Sequence, residues 1–261
     1  MTNEEIKNQL LKLEPTDIDF SVTMTGKASN KVNGLYKPAT KEILLHNLNF
    51  KTSDQLIYTA IHEYTHHLIN VEQERNDMPK KTKSHDTEFW AKFDSLLDKA
   101  IELKIFTRER SPELQNKIEA AKELDKEIAK MQKKLGQLLM EIKKQSDDEN
   151  IRYEDVLSHD MRMSRKTATK ALMSSFVSEE NVNQDEQEIL SVSRKKGLEA
   201  YNKVKSSLDD GKSLNQAKDF IQKKVEKSKL KLLEDEQQRI EKTIRQLQLR
   251  LDFIKEKLEA A

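Results

Sequence analysis

Residues 60–69 read Ala60-Ile61-His62-Glu63-Tyr64-Thr65-His66-His67-Leu68-Ile69, and within them lies the pattern H-E-x-x-H. On an α-helix, residues four apart share a face, so the imidazoles of His62 and His66 can grip one metal ion. Glu63, one position on, stands beside that ion, where a carboxylate can take a proton from water. The flanks predict a buried helix, because Leu56, Ile57, Ile61, Leu68 and Ile69 place apolar groups along and around it. Thr52, followed three residues later by Gln55, forms a capping-box start, so the helix is expected from Ser53 to near Val71.

The rest of the chain limits what surrounds this helix. Of 261 residues, 36% are charged and only 35% hydrophobic, with 5 Gly and 4 Pro. Few turns and a low apolar content predict long, solvated helices. A net charge of +1 gives no bulk attraction for nucleic acid. With no cysteine, disulfides and thiolate ligands are excluded, and any zinc must be held by histidine and carboxylate. The acidic start Met1-Thr2-Asn3-Glu4-Glu5 and the lack of a membrane-length apolar run predict a cytoplasmic protein with no membrane partner.

Ahead of the central helix, residues 2–13 predict a short amphipathic helix with Thr2 and Glu5 as its capping box. Ile18, Phe20, Val22 and Met24 alternate with polar residues, the period of a half-buried strand. Asn33-Gly34 reads as a turn. Leu35-Tyr36, the break at Lys37-Pro38-Ala39-Thr40, and Glu42-Ile43-Leu44-Leu45-His46 predict a hairpin. The expected order is helix, antiparallel strands, H-E-x-x-H helix, with an edge strand offering backbone groups to an extended peptide.

A polar connection from Glu72 to Lys83 then leads to Ser84-His85-Asp86-Thr87-Glu88-Phe89-Trp90 and a second amphipathic run through Ile101. Ser84 is the expected N-cap of that helix, with His85 in its first turn, held by Phe89 and Trp90. A catalytic zinc takes three protein ligands and one open position. His85 is the expected third ligand, with Glu88 and Asp86 as carboxylate rivals. His67 points away from His66 and reads as a supporting or surface residue. His46 and His159 read as structural, Trp90 as a core anchor, and Tyr64 as turned aside from the site.

His62-Glu63-x-x-His66, followed by His85-x-x-x-Phe89-Trp90 after a small sheet, resembles the minimal zincin metalloproteases, most closely the SprT-like and WLM-type families. The resemblance covers roughly residues 1–110. It implies Zn2+ on His62, His66 and His85, Glu63 as catalytic base, and a protein or peptide substrate.

From Pro112 the pattern changes. Leu114, Ile118, Ala121, Leu124, Ile128, Met131, Leu135, Leu138 and Ile142 step by threes and fours, with one slip near Ala121. Leu233, Ile240, Ile244, Leu247, Leu251, Ile254 and Leu258 repeat the idea. These stripes predict either an intramolecular antiparallel pair, the preferred reading, or self-association of two chains. Between them, residues 151–177 look like helix–turn–helix, with Ser164 capping a helix that carries Arg165, Lys166 and Lys170, a face able to meet phosphates. One helix is expected over Gln184–Leu208, stopped by Asp209-Asp210-Gly211.

The expected fold is therefore α+β. Residues 1–110 form a small zincin-like domain, an antiparallel sheet plus the H-E-x-x-H helix. A long, all-α, coiled-coil-like extension follows, divided into 111–148, 149–212 and 213–261. The leading functional expectation is a zinc metallopeptidase. The alternatives are a non-catalytic zinc-binding scaffold and a DNA-associated factor. Because ligand histidines must be neutral, metal loss is expected below about pH 6.

Overall fold

The computed structural model describes residues 1–76, 84–221 and 229–259. The fold is α+β, mostly helical with one small sheet. Helix α1, Asn3–Leu13, opens on the reciprocal cap read from its sequence: Glu5 N–H donates to Thr2 Oγ1 (3.2 Å) and Thr2 N–H to the Glu5 carboxylate (2.7 Å). Three strands follow: β1, Ser21–Met24; β2, Gly34–Lys37; and β3, Glu42–Leu45.

The sheet departs from the antiparallel expectation. Its order is β1-β3-β2, with β2 antiparallel to β3 but β1 parallel to it. The most apolar strand takes the centre: Ile43 and Leu45 are fully buried. The link from β1 to β2 runs round β3 and is tied down by Gly26 N–H to Asn47 Oδ1 (2.8 Å) and Ser29 N–H to Asn49 Oδ1 (2.9 Å). Gly34 is the first residue of β2, not the turn that Asn33-Gly34 suggested. The hairpin turns at the expected Lys37-Pro38-Ala39-Thr40 break, between β2 and β3.

Helix α2, Ser53–Arg75, begins where expected and runs one turn beyond Val71. Thr52 Oγ1 accepts from Gln55 N–H (3.2 Å), while the Gln55 side chain turns back to Lys51 N–H (2.8 Å) rather than to Thr52. α3, Thr87–Glu102, lies against α2 and completes the core with Phe89, Phe93, Leu96 and Leu97 facing Ile57, Ile61 and Tyr64. Part of the expected Glu72–Lys83 connection, residues 77–83, lies outside the described residues.

The second half is more compact than the coiled-coil expectation. α4, Pro112–Asp148, is capped by Ser111. Its C-terminal half buries Gly136 and Leu139 under α6, Arg165–Ser174, instead of under the last helix. A side chain at Gly136 would strike the Ala171 carbonyl, so glycine permits this close crossing. The helix–turn–helix expectation is met only in part. The first helix is a single turn, α5, Tyr153–Asp155, running into a π-turn at Val156–Asp160. Ser164 does cap α6, through Thr167 N–H (3.1 Å), and Arg165 and Lys166 are exposed, but Lys170 is paired with Glu188 (3.4 Å).

Where one helix was expected over Gln184–Leu208, the chain forms two: α7, Gln184–Lys195, and α8, Leu198–Asp209, interrupted at Gly197 (φ +115°). Of the last helix expected over residues 213–261, residues 222–228 lie outside the described residues. α9, Leu214–Ile221, buries Ala217 against α7 and α8 and reaches α3, where Asn215 Nδ2 donates to Asp94 (3.0 Å) and Gln216 Nε2 to Ser95 Oγ (3.1 Å). α10, Lys229–Glu259, follows. Among the described residues α4 and α10 form no packed pair: Ile240, Ile244, Leu247, Leu251 and Ile254 all remain exposed. The side chains of Leu233 and Leu258 fall outside the described residues. Among the described residues, no helix is long and apolar enough to cross a membrane.

Candidate metal centre

α2 presents His62 and His66 one turn apart, and the segment entering α3 brings His85 to meet them. His62 Nε2 and His66 Nε2 each lie 3.0 Å from His85 Nε2. His85 does not sit inside α3 as expected. The N-cap is Asp86, whose Oδ1 accepts from Phe89 N–H (3.0 Å), so His85 lies in the bend just before that cap. Ser84, the expected cap, instead places its Oγ 3.4 Å from His85 Nδ1. Asp86 is thereby occupied as a cap. Glu88 lines a separate hollow with Ala91, Ser95 and Gln216. Among the described residues, no carboxylate joins the three imidazoles.

This donor set fits a zinc ion. Zn–N bonds of 2.0–2.1 Å at tetrahedral angles place ligand nitrogens about 3.3 Å apart. One nitrogen carries either one hydrogen or one lone pair, so His85 Nε2 cannot serve both neighbours well. A cation among the three satisfies all of them. Burial, reinforced by His85, lowers the His62 pKa to about 4, and burial with His62 and His85 lowers His66 to about 4. Both rings are therefore neutral near pH 7, as ligation requires.

Aromatic rings fix the imidazoles from below. Phe89, fully buried, has its ring centre 4.9 Å from His62, 4.4 Å from His66 and 4.7 Å from His85. Trp90 stacks on His85 at 5.7 Å. Trp90, expected as a core anchor, is only partly buried and packs against the core while stacking on His85.

Glu63 lies on the other wall. Its carboxylate is buried, which raises its pKa to about 7 against the opposing effect of a hydrogen bond from the Tyr36 backbone N–H. It lines the same cleft, of ≈ 620 Å3, as Gly34, Tyr36, His62, His66 and His85. A Cβ on Gly34 would come within 2.8 Å of Thr59 Cγ2 and 2.9 Å of Glu63 Oε1. Gly34 and Tyr36 are the residues that sequence reasoning missed. The available signal was a glycine heading a strand, which marks close backbone approach as readily as a turn.

His67 is neither exposed nor part of the cluster of His62, His66 and His85. It is fully buried beneath the sheet, with Nδ1 3.2 Å from Tyr36 Oη, and Tyr36 O–H donates to Asn70 Oδ1 (3.1 Å). Lys41 Nζ donates to the same Asn70 oxygen (2.7 Å). This network ties β2 to α2. Tyr64 is turned away, donating to the Glu14 carbonyl (2.6 Å), His46 Nδ1 meets Thr25 Oγ1 (3.1 Å), and His159 pairs with Asp155 (2.6 Å).

Comparison of the chain with family models, with curated proteins and with solved structures returns no match.

Proposed function

We propose that the chain is a zinc-dependent peptidase of the zincin type, hydrolysing peptide bonds in a protein or peptide substrate. The observation that carries this reading is the convergence of the His62, His66 and His85 Nε2 atoms on one point of a cleft that Glu63 also lines. When bound there, zinc supplies a charge that acidifies water and polarises a carbonyl oxygen. Glu63 accepts the proton of the attacking water and passes it to the leaving amine. A carboxyl poised near pH 7 suits both halves of that transfer.

The sheet supports a peptide as the substrate. β2 is the outer strand on this side. His46 N–H donates to the Asn33 carbonyl, so the antiparallel alternation turns the backbone groups of Gly34 and the Tyr36 carbonyl away from β3 and towards the cleft, the Tyr36 N–H being taken by Glu63. An extended chain laid along this edge adds a strand and carries its carbonyl past the histidines.

The test is metal analysis and casein cleavage on the purified chain, with Glu63→Gln beside it. One zinc per chain is expected, with cleavage abolished and zinc retained in E63Q. A chain that takes up no zinc, or an E63Q chain that cleaves at the parental rate, overturns the reading. A scaffold would hold zinc without cleaving. A DNA-associated factor would shift duplex mobility in a salt-dependent way.

A further inference from the structure

We propose that α10 joins two copies of this chain, pairing with itself antiparallel. Ile240, Ile244, Leu247, Leu251 and Ile254 step by four, three, four and three, an unbroken heptad stripe about 21 Å long at 1.5 Å per residue. They are 45% to 60% exposed, which leaves the stripe in water along its length. A stripe of this width buries itself against one other helix.

The first half of α4 also exposes apolar groups, Leu114, Leu124, Ile128 and Met131. Its stripe slips near Ala121, so it cannot stay in phase with unbroken heptads. The α10 of a second copy carries the same stripe in the same phase.

Charge sets the direction. Ile244 and Leu251 occupy the a positions, and Ile240, Leu247 and Ile254 the d positions. Glu236 and Arg250 each precede an a position, while Glu241 and Lys255 each follow a d position. A parallel pair would bring Glu236 against Glu241 of the second copy and Arg250 against Lys255, two like-charge contacts. An antiparallel pair lays the acidic half of each seam along the basic half of the other. Glu236 is held by Arg239 (2.6 Å) on its own helix. Such a surface pair is worth little and is readily exchanged. The antiparallel register also puts Gln237, at an a position, opposite Ile254 instead of opposite its own copy.

Light scattering on the full chain over a range of concentrations tests the pairing. A mass of twice 30.4 kDa is expected, falling to 30.4 kDa in the I244E/L247E chain. Because the chain has no cysteine, direction can be read by oxidative crosslinking of Gln237→Cys and Ile254→Cys single variants. The mixture is expected to crosslink and neither variant alone. A monomer at every concentration, a dimer that survives I244E/L247E, or Q237C crosslinking to itself would each overturn the proposal. If I244E/L247E fails to fold, the cysteine pair still decides. None of these readouts depends on zinc or cleavage, so the dimer and the peptidase can fail separately.

Discussion

A methyl group added to Gly34 would stand 2.9 Å from Glu63 Oε1. The head of the edge strand and the carboxylate proposed as base are thus in contact across the cleft, and the missing side chain sets their distance. The Tyr36 backbone N–H bonds the same carboxylate. β2 is therefore at once the outer strand of the sheet and the strand that lies against the Glu63 carboxylate.

Gly34→Ala is expected to keep zinc and lower kcat at least tenfold while changing KM less, because the Glu63 carboxylate is displaced. The added methyl also meets Thr59 Cγ2 at 2.8 Å, so Thr59→Ser relieves that second clash. G34A/T59S is expected to stay inactive. Recovery in the double variant would show that the cost lay in packing against Thr59.

His85→Ala is expected to strip most of the zinc, read as metal per chain after dialysis, whereas Glu88→Ala keeps it. Asp86→Ala removes the α3 cap and costs about 1 kcal/mol in unfolding free energy. Zinc loss in E88A with retention in H85A would move the third ligand to the carboxylate.

Phe89 touches all three imidazoles and is fully buried. Phe89→Ala is expected to cost about 3–5 kcal/mol by denaturant unfolding of the metal-free protein. It is also expected to weaken zinc binding, because the rings lose their floor. Undiminished zinc affinity in a folded F89A chain would show that α2 alone holds the ligand geometry.

The metal-free protein is expected to lose stability on acidification. Burial lowers the His62, His66 and His67 pKa values to about 4, below their ordinary 6.5, so between these values the unfolded state binds more protons and stability rises with pH. Glu63, raised from 4.5 to about 7, acts in the opposite direction over its own window, but it is one group against three. The net loss from pH 6.5 towards 4 is on the order of a few kcal/mol, read as a falling Tm in the presence of a chelator. Zinc release is expected to move the same way. With His62 and His66 lowered to about 4, protons compete for them at a lower pH than the pH 6 expected from ordinary histidines. Full release already at pH 6 would contradict the buried site.

Local rules read directly from the chain located much of this. The Thr2–Glu5 box, the α2 start after Thr52, the cap at Ser164 and the stop at Gly211 each depend on a few neighbouring residues. The same rules erred where two local devices compete. Asp86 displaced Ser84 as a cap one turn before Phe89, and Gly197 split a continuous helical pattern.

By itself the sequence determined that His62 and His66 share a face with Glu63 beside them, because helical geometry is set by spacing. It also determined that α10 carries a heptad seam. Only the tertiary structure decided that β3 takes the centre of a mixed sheet, that α4 is covered by α6, and that Gly34 lies against Glu63. Each of these depends on which apolar surfaces meet across long stretches of chain. That is settled by competition among all the buried faces at once, which no local spacing records.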